Sequence, residues 1–204
     1  NSMLTGDIGT GEGSISGMGT AILNGSIYND NTETAQAKID LLNAYIILSA
    51  LPVTNSSHAP AFGSGEVILA GVYSIGGAGS IAGSLTLDGQ GNTNAFFVVK
   101  FEGAFTAAVG TIITLTNGAS ACNVFWLAEG AISVGATSAI KGTLIAHPGA
   151  VTMGADNTLD GRMFSTSGAI SFGPGNASIP QGISTIPIAC EPACSNPILG
   201  TVAN

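Results

Sequence analysis

Few side chains in this sequence have the type and spacing to do covalent chemistry. His147, Asp156, Asp160 and Arg162 fall within one short stretch. Clustered carboxylates beside an arginine are the tools with which stacked-coil β scaffolds cleave polysaccharides, provided the two carboxyls stand at a defined separation. Proximity in sequence fixes no such separation, so these charges read as solvated coil corners. Asp88-Gly89-Gln90-Gly91-Asn92 is a turn and not a twelve-residue calcium loop. Gly76-Gly77-Ala78-Gly79-Ser80 carries serine where a calcium-binding glycine-rich repeat needs aspartate, and no tandem copy follows. Gly63-Ser64-Gly65 lacks the spacing of a nucleophile elbow. The chain therefore reads as a non-enzyme with no catalytic residue, no metal ligand set and no cofactor.

The three cysteines invite a different chemistry. Cys190 and Cys194 could close a small disulfide loop, which implies an oxidising compartment. His58 and His147 lie too far away in sequence to complete a metal site with that pair. Cys122 precedes the apolar run Val124-Phe125-Trp126-Leu127 and is expected to be a small core residue.

What must position these residues is a repeat. Gly130-Ala131-Ile132-Ser133 recurs in a 19-residue register as Gly149-Ala150-Val151-Thr152 and Gly168-Ala169-Ile170-Ser171. A fixed period of this size predicts a solenoid, in which each coil is buried by stacking on its neighbours. Period-two alternation turns Ile132, Val134, Val151, Met153, Ile170 and Phe172 inward. Ala131, Ser133, Ala150, Thr152, Ala169 and Ser171 then point outward, and Gly103-Ala104-Phe105-Thr106 adds Ala104 and Thr106 one coil earlier. A second strand of each coil, Asn123–Glu129 and its counterparts Ala95–Glu102, Thr143–Pro148 and Arg162–Ser167, is apolar on both faces and needs a cover. A third, with Ala139-Ile140-Lys141 and Thr158-Leu159-Asp160, reads as an ordinary charged, solvated side. The cover is the one strong helix, Asn31 to Leu51, with Asn31 or Thr32 as its cap and Pro52 as its stop. Its apolar stripe is read as Ala35, Ile39, Leu42, Ile46 and Ala50, widened by Leu41, Tyr45 and Leu48. The fold expected is mainly β: a three-sided solenoid with one long helix alongside.

Composition excludes several classes. The chain of 204 residues is 45% hydrophobic, 6% aromatic and 8% charged, with 30 glycines, which fits neither disorder nor a helical bundle. Its only strong cations are Lys38, Lys100, Lys141 and Arg162, and the formal net charge is −8, so no nucleic-acid partner is expected. No apolar run approaches the ~20 residues of a membrane span, so membrane insertion is not expected either.

The segments Leu4-Thr5-Gly6-Asp7-Ile8-Gly9, Ala70-Gly71-Val72-Tyr73, Leu85-Thr86-Leu87-Asp88-Gly89, Asn94-Ala95-Phe96-Phe97, Ala121-Cys122-Asn123-Val124-Phe125-Trp126 and Gly142-Thr143-Leu144-Ile145-Ala146 together resemble the microbial ice-binding protein family. The resemblance runs from Leu4 to about Pro180. It implies a right-handed irregular β-solenoid of triangular section with a flanking helix, secreted or displayed at the cell surface. It also implies that one flat face adsorbs to ice or ordered water, often through rows of Thr-Ala/Gly-x-Thr/Asn. The matching positions are Ala104, Thr106, Ala131, Ser133, Ala150, Thr152, Ala169 and Ser171. Glycine replaces the leading threonine in these copies, and serine twice replaces the last residue, which implies weaker binding. The alternative is a structural or adhesive surface module of the same fold with little ice activity. Residues 1–186 would form the solenoid, and 187–204 a proline- and cysteine-containing tail. The opening Leu-Gly-Thr-Ala-Ala-Asn strand usual in the family does not precede Leu4. Ile198, Leu199, Gly200, Thr201 and Val202 resemble it, so the tail is expected to supply a strand to a neighbouring copy in a tandem array or fibre.

Overall fold

The computed structural model describes residues 2–180 and 198–201. The chain opens with β1 (Met3–Thr5), β2 (Asp7–Thr10), a 3-10 turn, β3 (Ile22–Asn24) and β4 (Ile27–Asn29), then enters α1 (Thr32–Ala50). Beyond the helix come β5 (Ala61–Gly63), β6 (Glu66–Leu69), β7 (Gly71–Ile75), β8 (Gly79–Ala82) and β9 (Ser84–Asp88). The winding continues through β10 (Phe97–Phe101), β11 (Phe105–Ala107), β12 (Ile112–Thr116), β13 (Val124–Ala128), β14 (Ile132–Val134) and β15 (Ala139–Ala146). It ends with β16 (Val151–Met153), β17 (Asn157–Ser165), β18 (Ile170–Phe172) and β19 (Gly175–Ser178), and β20 (Ile198–Thr201) follows the tail.

Strands pair in parallel and stack into three walls. One wall is β5, β8, β11, β14, β16 and β18. A second holds β6, β9, β12, the first halves of β15 and β17, then β19, β1 and β3. A third, under the helix, holds β7, β10, β13 and the second halves of β15 and β17. The two long strands serve two walls because they bend at Gly142 and Gly161. Gly142 has φ +101°, and a Cβ on Gly161 would lie 1.8 Å from the Gly142 carbonyl oxygen, so neither position admits a side chain. The N-terminal strands close the far end: β1 pairs with β19, and α1 carries the chain back along the solenoid to β5.

Large apolar side chains fill the centre. Phe101 and Phe105 stack at 4.7 Å, Phe105 and Trp126 at 5.6 Å, and Phe62 meets Phe101 edge-on at 6.1 Å. Trp126 is fully buried, and its Nε1–H donates to the Lys141 carbonyl at 2.9 Å. At the β5 end the His58 ring caps this column, stacked 3.8 Å from Phe62 and hydrogen-bonded to Glu66 at 2.8 Å.

The helix lies where the doubly apolar strands require it, but it presents a different stripe. Leu41 and Leu48 are buried against Val72, Val98, Phe125, Leu127 and Ile145, with Tyr45 packed alongside. Burial of each leucine contributes roughly 2 kcal/mol before entropy. Ala35, Ile39, Ile46 and Ala50, read from the sequence as centre-line residues, face solvent, with Ile39 54% and Ile46 60% exposed. Apolar residues surround most of this helix, so the 3.6-residue period marks several faces and selects none. Asn31 caps it as expected: its side chain accepts from Thr34 N at 3.0 Å while Thr34 Oγ1 accepts from Asn31 N at 3.0 Å. At the other end Lys100 Nζ donates to the Ser49 and Leu51 carbonyls at 3.0 and 2.8 Å, satisfying groups that α1 leaves unpaired. Burial holds this ammonium below its ordinary pKa.

Cys122 lies in the core, as the sequence reading expects, and carries a bond that reading left open. It is fully buried, as a core residue would be, but it is disulfide-bonded. The other cysteines of the chain are Cys190 and Cys194, which lie outside the described residues.

Candidate functional site

The first wall carries three outward rows, one residue per strand. The register pairs Ala61 with Ser80, Ser80 with Thr106, Thr106 with Ser133, Ser133 with Thr152 and Thr152 with Ser171. Beside this hydroxyl row runs an alanine row. The carbonyl of Ala104 accepts from Gly79 N at 2.9 Å, that of Ala131 from Phe105 N at 3.0 Å, that of Ala150 from Ile132 N at 2.8 Å and that of Ala169 from Val151 N at 3.0 Å. These bonds stack Ala78, Ala104, Ala131, Ala150 and Ala169 rung on rung. On the other flank Gly63, Ala82, Ala108, Gly135, Gly154 and Gly173 form a third row, tied by bonds such as Gly135 N to Ala107 O at 2.8 Å. Parallel strands set the rungs about 4.8 Å apart. No outward side chain in these rows extends beyond a γ atom, and none is charged.

Stacking explains why glycine leads each signature. A Cβ on Gly103, Gly130, Gly149 or Gly168 would come within 2.8, 3.0, 2.3 or 2.5 Å of the backbone of the preceding coil. A leading threonine is barred from these coils by the same contact.

Beneath the edge of the wall, a buried polar ladder fixes the corner. Thr111 Oγ1 donates to the Ala108 carbonyl at 2.8 Å, and Thr111 N donates to Ser138 Oγ at 3.1 Å. Ser138 Oγ donates to the Gly135 carbonyl at 3.0 Å, and Ser138 N to Asn157 Oδ1 at 2.6 Å. Asn157 Nδ2 closes the chain on the Gly154 carbonyl at 3.0 Å. All three side chains are fully buried and satisfied, so the turns that end successive rows are held in one geometry.

The structure brings the eight sequence-selected positions Ala104, Thr106, Ala131, Ser133, Ala150, Thr152, Ala169 and Ser171 onto this one wall. It adds Ala61, Ala78, Ser80, Ala82 and Ala108, which sequence reasoning missed. The 19-residue step from Ala61 to Ser80 was available as a signal, but the longer coils on either side of Thr106 interrupt it.

The charged cluster does not converge. Asp156 sits exposed on a corner with φ +58°. Asp160 points from the second wall and pairs with Lys141 at 3.1 Å. Arg162 is buried on the helix side, 3.5 Å from Thr143 Oγ1. His147 stacks on Tyr45 at 4.3 Å and shares a hydrogen bond with Thr166 at 2.8 Å, which pins the helix. Among the described residues no group of three or more His, Cys, Asp or Glu could hold a metal, and no helix is long and apolar enough to cross a membrane. Of the sequence-selected tail positions, Ile198–Thr201 form β20, while Val202, Cys190 and Cys194 lie outside the described residues.

Comparison with known proteins gives these walls a family. An ice-binding protein of Nostoc sp. (strain HG1) is 34% identical over 146 residues, which is 71% of this chain and 54% of that protein. The chain thus spans about half of that relative's length. A crystal structure of an ice-binding protein from an Antarctic Flavobacteriaceae bacterium superposes with TM-score 0.81 at 34% identity, covering 89% of this chain and 44% of that one. The ice-binding protein of the Antarctic ascomycete Antarctomyces psychrotrophicus superposes with TM-score 0.80 at 28% identity, covering 86% and 85%. The model of the ice-binding-like family matches residues 1–176, and the chain belongs to that family.

Proposed function

We propose that this module binds ice without catalysis, by adsorption of its first wall. The observation that carries the reading is the unbroken ladder Ala61–Ser80–Thr106–Ser133–Thr152–Ser171 between two rows of alanine and glycine. Methyls and hydroxyls repeating on a rigid backbone hold hydration water in a layer that can merge with a growing crystal. Each contact is weak, so the ordering cost must already be met by the fold; the stacked coils and the buried corner ladder meet it. Serine in place of threonine leaves χ1 freer and makes the activity moderate. An adhesive role is the weaker reading, because the wall offers no Trp, Tyr or Arg to anchor a macromolecule. The module works outside the cell, where a cystine at Cys122 persists.

Ice-affinity partition tests the proposal. The native chain is expected to enrich in slowly grown polycrystalline ice, and Ala150→Arg to stay in the liquid with its circular dichroism spectrum unchanged. Equal partition of the two proteins would move the site off this wall.

A further inference from the structure

At the far end of the solenoid the helix-covered wall has one rung that no coil of residues 2–180 supplies. β17 is the last long strand of that wall, and the N-terminal β2 and β4 pair beyond it. The intervening place is taken by β20, which pairs in parallel with β2 (Asp7 with Ile198, Ile8 with Leu199, Gly9 with Thr201) and packs against β17 and α1. We infer that this rung is an acceptor slot for a strand from a second copy of the chain, so that copies join by exchanging Ile198–Thr201.

Three features support the exchange. Without an occupant, the backbone donors and acceptors on the facing edges of β2 and β17 would lack ladder partners beneath the helix, and buried backbone groups are almost always paired. Some strand must therefore fill the slot. Recognition is through main-chain bonds in the direction of every other rung, so the same segment of an identical chain fits equally well. Residues 181–197 separate the donor from the last coil and can reach up to ~60 Å when extended, far enough for a neighbouring molecule. Cys122 is disulfide-bonded, so the exchange is tested with that bond reduced.

The test refolds the full chain with a dithiol reductant present, at high and at low protein concentration, and reads mass by sedimentation velocity. Dimers and longer assemblies are expected at high concentration and monomer at low. Leu199→Pro removes a backbone donor from the rung and should reduce the assembled fraction at least ten-fold. An excess of the synthetic peptide Ile-Leu-Gly-Thr-Val-Ala-Asn (residues 198–204) should prevent assembly of the native chain. Monomer at both concentrations overturns the inference, as do assemblies that ignore the peptide, even if Leu199→Pro fails to fold. The inference rests on the reading of the tail and not on the ice face. Ice partition of the monomer is independent of it, so either idea can fail alone.

Discussion

The first and second walls are built from the same coils, yet only one is level. On the first wall the outward row is Ala61, Ser80, Thr106, Ser133, Thr152 and Ser171. On the second, one row runs Ser84, Ile112, Ala139, Thr158, Asn176, Met3 and Ile22, and the next contains Lys141 and Asp160. Ile112 is 50% exposed and Val67 56%, so apolar bulk stands beside an ion pair at uneven heights. Backbone regularity is common to both walls and cannot distinguish them. What differs is that every coil presents a side chain of nearly one height on the first wall. A surface that water copies on freezing requires that uniformity, and the stacking geometry alone does not provide it.

Breaking the stack under the level wall should have the largest effect. Gly149→Val places a branched side chain where even a Cβ comes within 2.3 Å of the Ala131 nitrogen, and is expected to cost on the order of 4 kcal/mol or more. Gly77→Ala, with open space around its Cβ, should change stability by less than about 0.5 kcal/mol. Chemical denaturation of both variants measures the contrast. Ser133→Thr combined with Ser171→Thr should sharpen the level wall by stiffening two rotamers and adding two methyls. Ice-growth inhibition at fixed concentration should then rise roughly two-fold per site, about 0.4 kcal/mol each. The smallest effect belongs to the second wall. Lys141→Thr with Asp160→Thr removes a half-exposed ion pair, so the melting midpoint should shift by the equivalent of less than about 1 kcal/mol. Ice inhibition should not change, because Val67 and Ile112 still break the plane.

Much of this architecture was legible in the residues. The recurrence of Gly-Ala-apolar-Ser/Thr identified the coils and the outward positions from Ala104 to Ser171, and the doubly apolar strands required a covering helix. Asn31 and Pro52 delimited that helix. Its buried face was not legible, because Leu41, Leu48, Ile39 and Ile46 are equally apolar and only the packed surface chooses among them. Ser80 was weighed only as part of a calcium-binding glycine-rich repeat, since coils of unequal length hide its alignment with Thr106. The uneven second wall was taken for an ordinary solvated side because Lys141 and Asp160 drew the reading, while Val67 and Ile112 sit on neighbouring coils outside the 19-residue register. Cys122 gave no sign of its disulfide, because a buried cysteine just before the apolar run Val124–Leu127 has the local pattern of an ordinary core residue.

The most direct measurement compares Thr152→Tyr on the first wall with Thr114→Tyr, exposed on the second, in the same ice-affinity partition. Both variants should keep the native circular dichroism spectrum. The account predicts that Thr114→Tyr enters ice like the native chain while Thr152→Tyr is left in the liquid. Exclusion of Thr114→Tyr with uptake of Thr152→Tyr would contradict it and transfer the adsorbing surface to the uneven wall.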